Sequence, residues 1–271
     1  MLPGASGIVR PALAWAAATD VGRRERNEDA HGGEARIDPQ GAVRGLFVVC
    51  DGVGGHADGE AASALGVSVA RQELGWTLEG EWPAAPALFA RVNEAIARVN
   101  QAIFELNERT GRQDRGRAGT TFALLLVTGA QACVAHVGDS RIYALTAADV
   151  TLLTRDHNVA NREVRHGTPP EIAWQRPDAR HLVQALGPFS ADHVQPDVTF
   201  REIAEPTVFV LCSDGVSDGG LMEREAAARL APILAGDVSV EDGCRGLVDV
   251  ARRSNGHDNA TAIVVRVDPH A

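Results

Sequence analysis

Two stretches of this chain share one local design that limits how it can fold. Residues 46–52 read LFVVCDG and residues 208–215 read VFVLCSDG, so a fully apolar run of strand length leads straight into an aspartate and a glycine. A buried strand that ends in an unpaired carboxylate is costly. The pattern makes sense where the charge meets a cation at a sheet edge. The glycine is then expected to let the chain turn sharply and to leave its carbonyl as a further oxygen ligand. Gly138-Asp139-Ser140 follows the run QACVAHV, Gly256-His257-Asp258-Asn259 precedes TAIVVRV, and Asn27-Glu28-Asp29 follows Arg23, Arg24 and Arg26. One Asp-Gly pair commonly marks a turn and nothing more. Five aspartates in this shared setting, Asp29, Asp51, Asp139, Asp214 and Asp258, point instead to bound cations. Hard oxygen donors without histidine clusters or thiolates favour magnesium or manganese over zinc or copper. The dense DxDxDG spacing of an EF-hand calcium loop is not present.

Charge and cysteine placement narrow the chemistry further. The 271 residues carry 26 basic and 36 acidic side chains, a net charge of −10, with no concentrated basic stripe of the kind a nucleic-acid surface needs. Cys50, Cys133 and Cys212 lie inside apolar runs, where a reduced thiol behaves as a small hydrophobe. A phosphate-binding loop built on a cysteine nucleophile needs arginine six positions later. Those positions hold His56, Asp139, Asp218 and, after Cys244, Val250. The apolar stretch from Pro11 to Ala18 is short for a secretory leader, and cleavage near Ala18 would cut against the motif that begins at Asp20. No apolar run of about 18 residues is present, so no membrane span is expected and the chain is read as cytoplasmic.

Strands are expected at 46–50, 120–127, 131–137, 141–145, 207–212 and 261–267, with turns at Thr128-Gly129 and Gly138-Asp139-Ser140. Helices are expected at 58–74 and at 221–235. A third is expected at 87–109, where Leu88, Val92, Ile96, Val99, Ile103 and Leu106 form one apolar face. The polar stretch from 155 to 196, broken at Gly167-Thr168-Pro169-Pro170 and Gly187-Pro188, reads as an irregular flap over one end of the sheets. No repeat or composition shift marks a boundary, so one domain of α+β class is expected, structured over about 12–268.

Taken in order, the motifs DVGRRERNED (20–29), CDGVGGHADGE (50–60), AGTT (118–121), VGDSRIY (137–143), LTRDH (153–157), ALG (185–187), CSDGVSD (212–218) and GHDNAT (256–261) resemble the 2C-type metal-dependent serine/threonine protein phosphatases, and the GVGGHADGE version resembles the bacterial branch. The resemblance implies a four-layer α-β-β-α sandwich of two antiparallel sheets flanked by helices, with a binuclear metal centre at one end. It implies that Asp51 bridges two Mn2+ or Mg2+ ions and that Gly52 adds its carbonyl. Asp214 and Asp258 would hold one ion, and Glu28 and Asp29 would support the other. A third cation, found in many members, would sit at Asp139 and Asp218 with Asp214 shared. Arg24, five residues before Asp29, matches the arginine that binds substrate phosphate and is favoured over Arg26 on that spacing. The implied activity is hydrolysis of phosphoserine and phosphothreonine in proteins by a metal-bridging hydroxide. Two cations about 4 Å apart bring a bridging water's pKa towards neutrality. The implied partners are a kinase and its substrates, with no nucleic acid, no membrane and a monomeric state.

Departures from the family pattern are local. Val53 stands where many eukaryotic members have a histidine two positions after the bridging aspartate, and His56 follows three residues later. His157 reads as a histidine satisfied by local hydrogen bonds, and Thr120 and Thr121 as β-branched residues opening a strand. Two other functions compete. A catalytically inactive docking module would be favoured by loss of Asp51, Asp214 or Asp258, all of which are present. A small-molecule phosphohydrolase with an aspartyl nucleophile would need a DxDx[TV] motif, which is absent.

Overall fold

A computed structural model describes residues 6–9, 12–38, 41–54, 57–112 and 116–269. His56 lies outside them. Twofold alternation along the apolar strands organises the chain, because successive side chains point to opposite faces. In the strand β4 (Val43–Val53), Leu46, Val48 and Cys50 pack towards the helices α1 (Ala57–Leu74) and α2 (Ala85–Arg109). Phe47 and Val49 point the other way, into a layer shared with Trp15, Phe209 and Ile263 of the opposite sheet. The strand β11 (Thr207–Cys212) divides in the same manner, with Val208, Val210 and Cys212 facing α6 (Leu221–Ala235) and α7 (Val240–Ser254). Burial on both faces is why these strands read as unbroken apolar runs.

One sheet runs β1 (Ser6–Val9), β2 (Leu13–Asp20), β12 (Ala260–Val267), β11, β8 (Arg141–Leu145), β9 (Val150–Leu152). The other runs β10 (Asp197–Glu202), β7 (Gln131–Val137), β6 (Phe122–Thr128), β4, β3 (Asp29–Ile37), with the short β5 (Gly119–Thr120) paired to the end of β4. All these pairings are antiparallel. Helices cover both outer faces, so the four-layer sandwich is present. Among the described residues no helix is long and apolar enough to cross a membrane.

Several elements differ from the sequence expectation. The residues from Leu13 to Ala18, weighed as part of a leader-like stretch, lie in β2, which pairs with β12 from Leu13↔Val267 to Asp20↔Ala260. The polar β3 was not expected. It forms because β4 offers a ladder from Asp29↔Asp51 to Ile37↔Val43, so its partner and not its own propensity makes it a strand. Helix α7 was also not expected, although Ser239 caps it by accepting from the Asp242 amide at 3.0 Å. Gly243 and Gly246 lower its helix propensity. At Gly243 a Cβ would lie 2.2 Å from Ile233 Cδ1, so the glycine is what lets α6 pack against α7. The 155–196 segment contains two short helices, α3 (Val159–Arg165) and α4 (Pro170–Ala173), gathered around buried Ala160, Ala173 and Ala179.

The inter-sheet layer gives a direct stability test. Phe47→Ala is expected to destabilise the fold by about 3–5 kcal/mol, the usual cost of deleting a buried ring. Phe89→Ala, at a half-exposed position on α2, should stay within about 0.5 kcal/mol. Urea unfolding of the two variants measures both.

Candidate functional site

Strand ends from both sheets deliver carboxylates to one end of the sandwich. The β3–β4 register sets Asp29 directly opposite Asp51. Asp214 opens the short helix α5 (Asp214–Ser217) just after β11, Asp258 precedes β12, and Asp139 lies in the β7–β8 turn. Arg24, Glu28, Asp51, Gly52, Asp139, Asp214 and Asp258 line one cavity of about 650 Å³. Asp29 is half-buried, is not part of that lining, and its Oδ2 accepts from Ser213 Oγ at 2.7 Å. Asp218 follows α5, and its charge acts on Asp214 and Asp139.

Two local expectations are corrected. β4 does not end at Asp51 but continues to Val53, pairing Gly52↔Thr120 and Val53↔Gly119 with β5. Neither Gly52 nor Gly215 has a positive φ, so neither makes the sharp turn. Both are required by close approach. A Cβ on Gly52 would lie 2.3 Å from the Gly59 carbonyl oxygen, and one on Gly215 would lie 1.8 Å from that of Asn259.

Asp29, Asp51, Asp139 and Asp214 hold their protons more tightly than usual. Burial, then the charges of Asp29, Asp214, Asp139 and Asp258, pushes Asp51 well above the carboxylate range. Burial pushes Asp29 up to about 7, with Asp214 and Asp258 adding to it and the Thr261 and Ser213 contacts opposing it. Asp139 reaches about 7 through burial and the charges of Asp214, Asp156 and Asp218. Asp214 reaches about 6 through burial, Asp218 and Asp258. Such a cluster calls for positive charge. Asp29 Oδ1 is buried without a hydrogen-bond partner among the described residues. An orphaned carboxylate oxygen beside four others, in an oxygen donor set, fits hard divalent cations. The four thiols are buried, and burial raises each above its ordinary value, so none is a ready nucleophile.

The cationic side of the cavity is set by a braced loop. Arg24 Nη2 donates to Asp258 Oδ2 at 2.6 Å and its Nε to the His257 carbonyl at 3.2 Å, while the side chain stays 55% exposed. Arg26 also lines the cavity and pairs with Glu60 at 3.6 Å. Asn259 ties the loop down: its Nδ2 donates to the Val21 and Arg26 carbonyls, each at 2.9 Å, and its Oδ1 accepts from the Glu28 amide at 2.8 Å.

Residues 19–237 match the family described as Protein phosphatase 2C. This chain belongs to that family. It is 32% identical over 257 residues to the serine/threonine protein phosphatase PstP of Mycobacterium tuberculosis, covering 94% of this chain and 45% of that protein. The chain thus spans less than half the length of that relative. Protein phosphatase PhpP of Streptococcus pneumoniae is 29% identical, with 92% and 96% covered. The crystal structure of M. tuberculosis PstP superposes with a TM-score of 0.75 at 30% identity, covering 94% of this chain and 99% of that one. A second PstP structure, of the catalytic domain with two manganese ions, superposes with a TM-score of 0.70 at 30% identity, covering 94% and 99%.

Within this family member, several contributors escaped the sequence reading. Asn259 sits inside GHDNAT, but nothing in the string shows that it braces a loop more than 230 residues away. Thr120 and Thr121, read as strand-openers, hold the Asp51 backbone. The Asp51 amide donates to Thr121 Oγ1 at 2.9 Å, and the Asp51 carbonyl accepts from the Thr121 amide at 2.8 Å and Thr120 Oγ1 at 3.0 Å. Arg180, His181 and Leu182 line the cavity from the 155–196 segment. They are placed there by Val159 N–H to the His181 carbonyl and Val183 N–H to the His157 carbonyl, contacts that carry no sequence signal.

The raised carboxyls give a pH test in the cation-free protein. Asp29, Asp139 and Asp214 bind protons more tightly folded than at their unfolded value of 3.8. Their contribution is therefore complete below that value and is lost as pH rises through about 6 to 7. With chelator present, stability should fall between about pH 4 and about pH 7, and Asp51→Asn should flatten the fall. Saturating Mn2+ should reverse it at the upper end. Urea midpoints across that range decide the matter, and a chelated wild type that gains stability with pH would contradict it.

Proposed function

We propose that this chain hydrolyses phosphoserine and phosphothreonine in proteins, using divalent cations held by Asp51, Asp214 and Asp258. The observation that carries the reading is the convergence of Asp51, Asp139, Asp214 and Asp258 on one open cavity with an arginine at its side. Family membership and the two manganese ions of PstP support it. Asp51 would bridge two cations and Gly52 would add its carbonyl. Glu28 and Asp29 would support one ion, with Asp214 and Asp258 on the other, and Asp139 and Asp218 would take a third. When bound, such cations neutralise phosphoryl oxygens and acidify water at physiological pH.

The chain's own groups do the positioning. Thr120 and Thr121 fix the Asp51 backbone to the neighbouring chain of its own sheet, so the carboxylate has little freedom to follow the substrate. Arg24 offers a guanidinium whose planar fork suits a phosphate, and its pairing with Asp258 keeps it at the cavity until an anion competes for it. Asn259 holds the Arg24 loop in register with Asp258. The 155–196 segment acts as a flap whose Arg180 and His181 meet residues flanking the phosphorylated side chain. The proposal includes one phosphatase domain over about 12–268, acting as a cytoplasmic monomer opposite a serine/threonine kinase. The absence of a composition shift supports the single domain, and the bacterial phosphatase relatives support a role opposite a kinase.

Phosphate release from a phosphothreonine peptide, with and without Mn2+, tests the reading. Wild type should turn over only with the cation, and Asp214→Asn should lose at least about 100-fold in kcat, the scale of one removed electrostatic stabiliser. Cation binding without turnover on several phosphopeptides and an aryl phosphate would move the assignment to a docking module. Arg24→Ala should raise KM for the peptide about tenfold, the worth of one charge-assisted hydrogen bond, and Lys at this position should restore only part of it. An unchanged KM in Arg24→Ala would transfer the phosphate-binding role to another residue, Arg26 first.

A further inference from the structure

Outside the cavity lining, His136, His157 and Asp197 bring ligand-type atoms within 4.8 Å of one another. A transition-metal site would need an unprotonated ring nitrogen from each histidine, and His157 cannot supply one towards Asp197. Its Nδ1 accepts the Gly138 amide at 3.2 Å and also meets Nε2 of Gln184 at 3.1 Å. The Gln184 amide is oriented because its Oε1 accepts from the Gln195 amide at 2.7 Å, so Nε2 is the donor. The ring proton is therefore on Nε2 of His157, which donates to Asp197 Oδ2 at 3.2 Å. His136 is oriented the same way, its Nε2 donating to the Arg155 carbonyl at 2.8 Å. Both ring nitrogens of His157 and Nε2 of His136 are thus taken by protein partners.

His157 contacts the turn that carries Asp139. The His157 amide donates to the Gly138 carbonyl at 2.9 Å, while His157 Nδ1 takes the Gly138 amide. Both polar backbone atoms of Gly138 are thus held by one residue. On its other side, the His157 carbonyl accepts the Val183 amide at 2.8 Å, and Asn158 bridges Leu182. His157 therefore fastens the Gly138-Asp139 turn and the Arg180–Leu182 wall of the cavity to each other.

We propose that His157 is a positioning residue that sets Asp139 for a divalent cation and couples that cation to the 155–196 segment. The proposal rests on the reading of Asp139 as a cation ligand. It depends on one lone pair, that of Nδ1, and this separates it from a merely space-filling histidine. Asn at 157 can place an amide oxygen near the Nδ1 position and still accept from Gly138. Leu fills the volume and accepts nothing. Gln carries its amide further out, towards Asp197.

The test is Mn2+ binding to metal-stripped protein, read from the electron paramagnetic resonance signal of free Mn2+, with thermal melting as the control for folding. Asp139→Asn should lose the weakest class of bound Mn2+. His157→Leu should weaken that same class about tenfold, the scale of one lost hydrogen bond to a preorganised turn, and leave the tighter ions unchanged. His157→Asn should stay within about threefold of wild type, and the Asp139→Asn/His157→Leu double variant should match Asp139→Asn alone. If His157→Leu does not fold, His157→Gln takes its place with the same expected weakening. Wild-type binding in the Leu or Gln variant, equal losses in the Asn and Leu variants, or a further loss in the double variant would each overturn the role. If Asp139→Asn itself retains every class of Mn2+, the cation reading of Asp139 falls and the role of His157 with it. Loss in Asp139→Asn beside an indifferent His157→Leu would remove only the latter.

Discussion

Asp29 and Asp51 face each other across the β3–β4 ladder, a placement that repels when both are ionised. Asp214, Asp258 and Asp139 press on the same region, and burial strips away the water that would screen them. For a domain whose net stability is on the order of 5–15 kcal/mol, this is a large local opposition to folding. It persists because the surroundings leave these backbones little choice. Asp51 is held between Thr120 and Thr121, Asp29 is tied to Ser213, and Asp258 is followed by an asparagine bonded to three backbone groups. Positive charge entering the cavity turns the repulsion into attraction, so the site and its cations are complementary by construction.

The sandwich makes this arrangement attainable. Strands buried on both faces are stiff supports whose ends, not their faces, can display charge. Antiparallel pairing brings chain ends from distant parts of the sequence to the same rim, so residue 29 can meet residue 213 and residue 24 can meet residue 258. Close packing at that rim leaves no room for side chains at Gly52 and Gly215. A glycine after each aspartate is thus a packing requirement, and the same dipeptide looks like a turn only when read in isolation.

The 155–196 segment belongs to the site by attachment and not by composition. Its polar, broken sequence contains no apolar period long enough to define a layer, and its small cluster of Ala160, Ala173 and Ala179 buries little surface. The His157 amide, bonded to the Gly138 carbonyl, holds it against the turn that carries Asp139, while the Val159 and Val183 amides tie the segment to itself. Bonds between main-chain atoms are indifferent to side-chain identity, which is why Arg180 and His181 could not be placed from the string of residues.

What the amino-acid sequence determined on its own was local and charge-based. Apolar runs of strand length, the 87–109 helical face and carboxylates at strand ends follow from periodicity and from the cost of burying charge, and α6 falls at the expected 221–235. The ordered motifs carried the family and most cavity-lining residues, among them Arg24, Asp51, Asp214 and Asp258. The tertiary structure alone decided the rest. β3 is a strand because β4 lies beside it, α7 tolerates its glycines because α6 packs there, and Asn259 acts on a loop at the other end of the chain. Each depends on a partner far away in sequence, and pattern in a short window reports only what a segment prefers when that partner is missing.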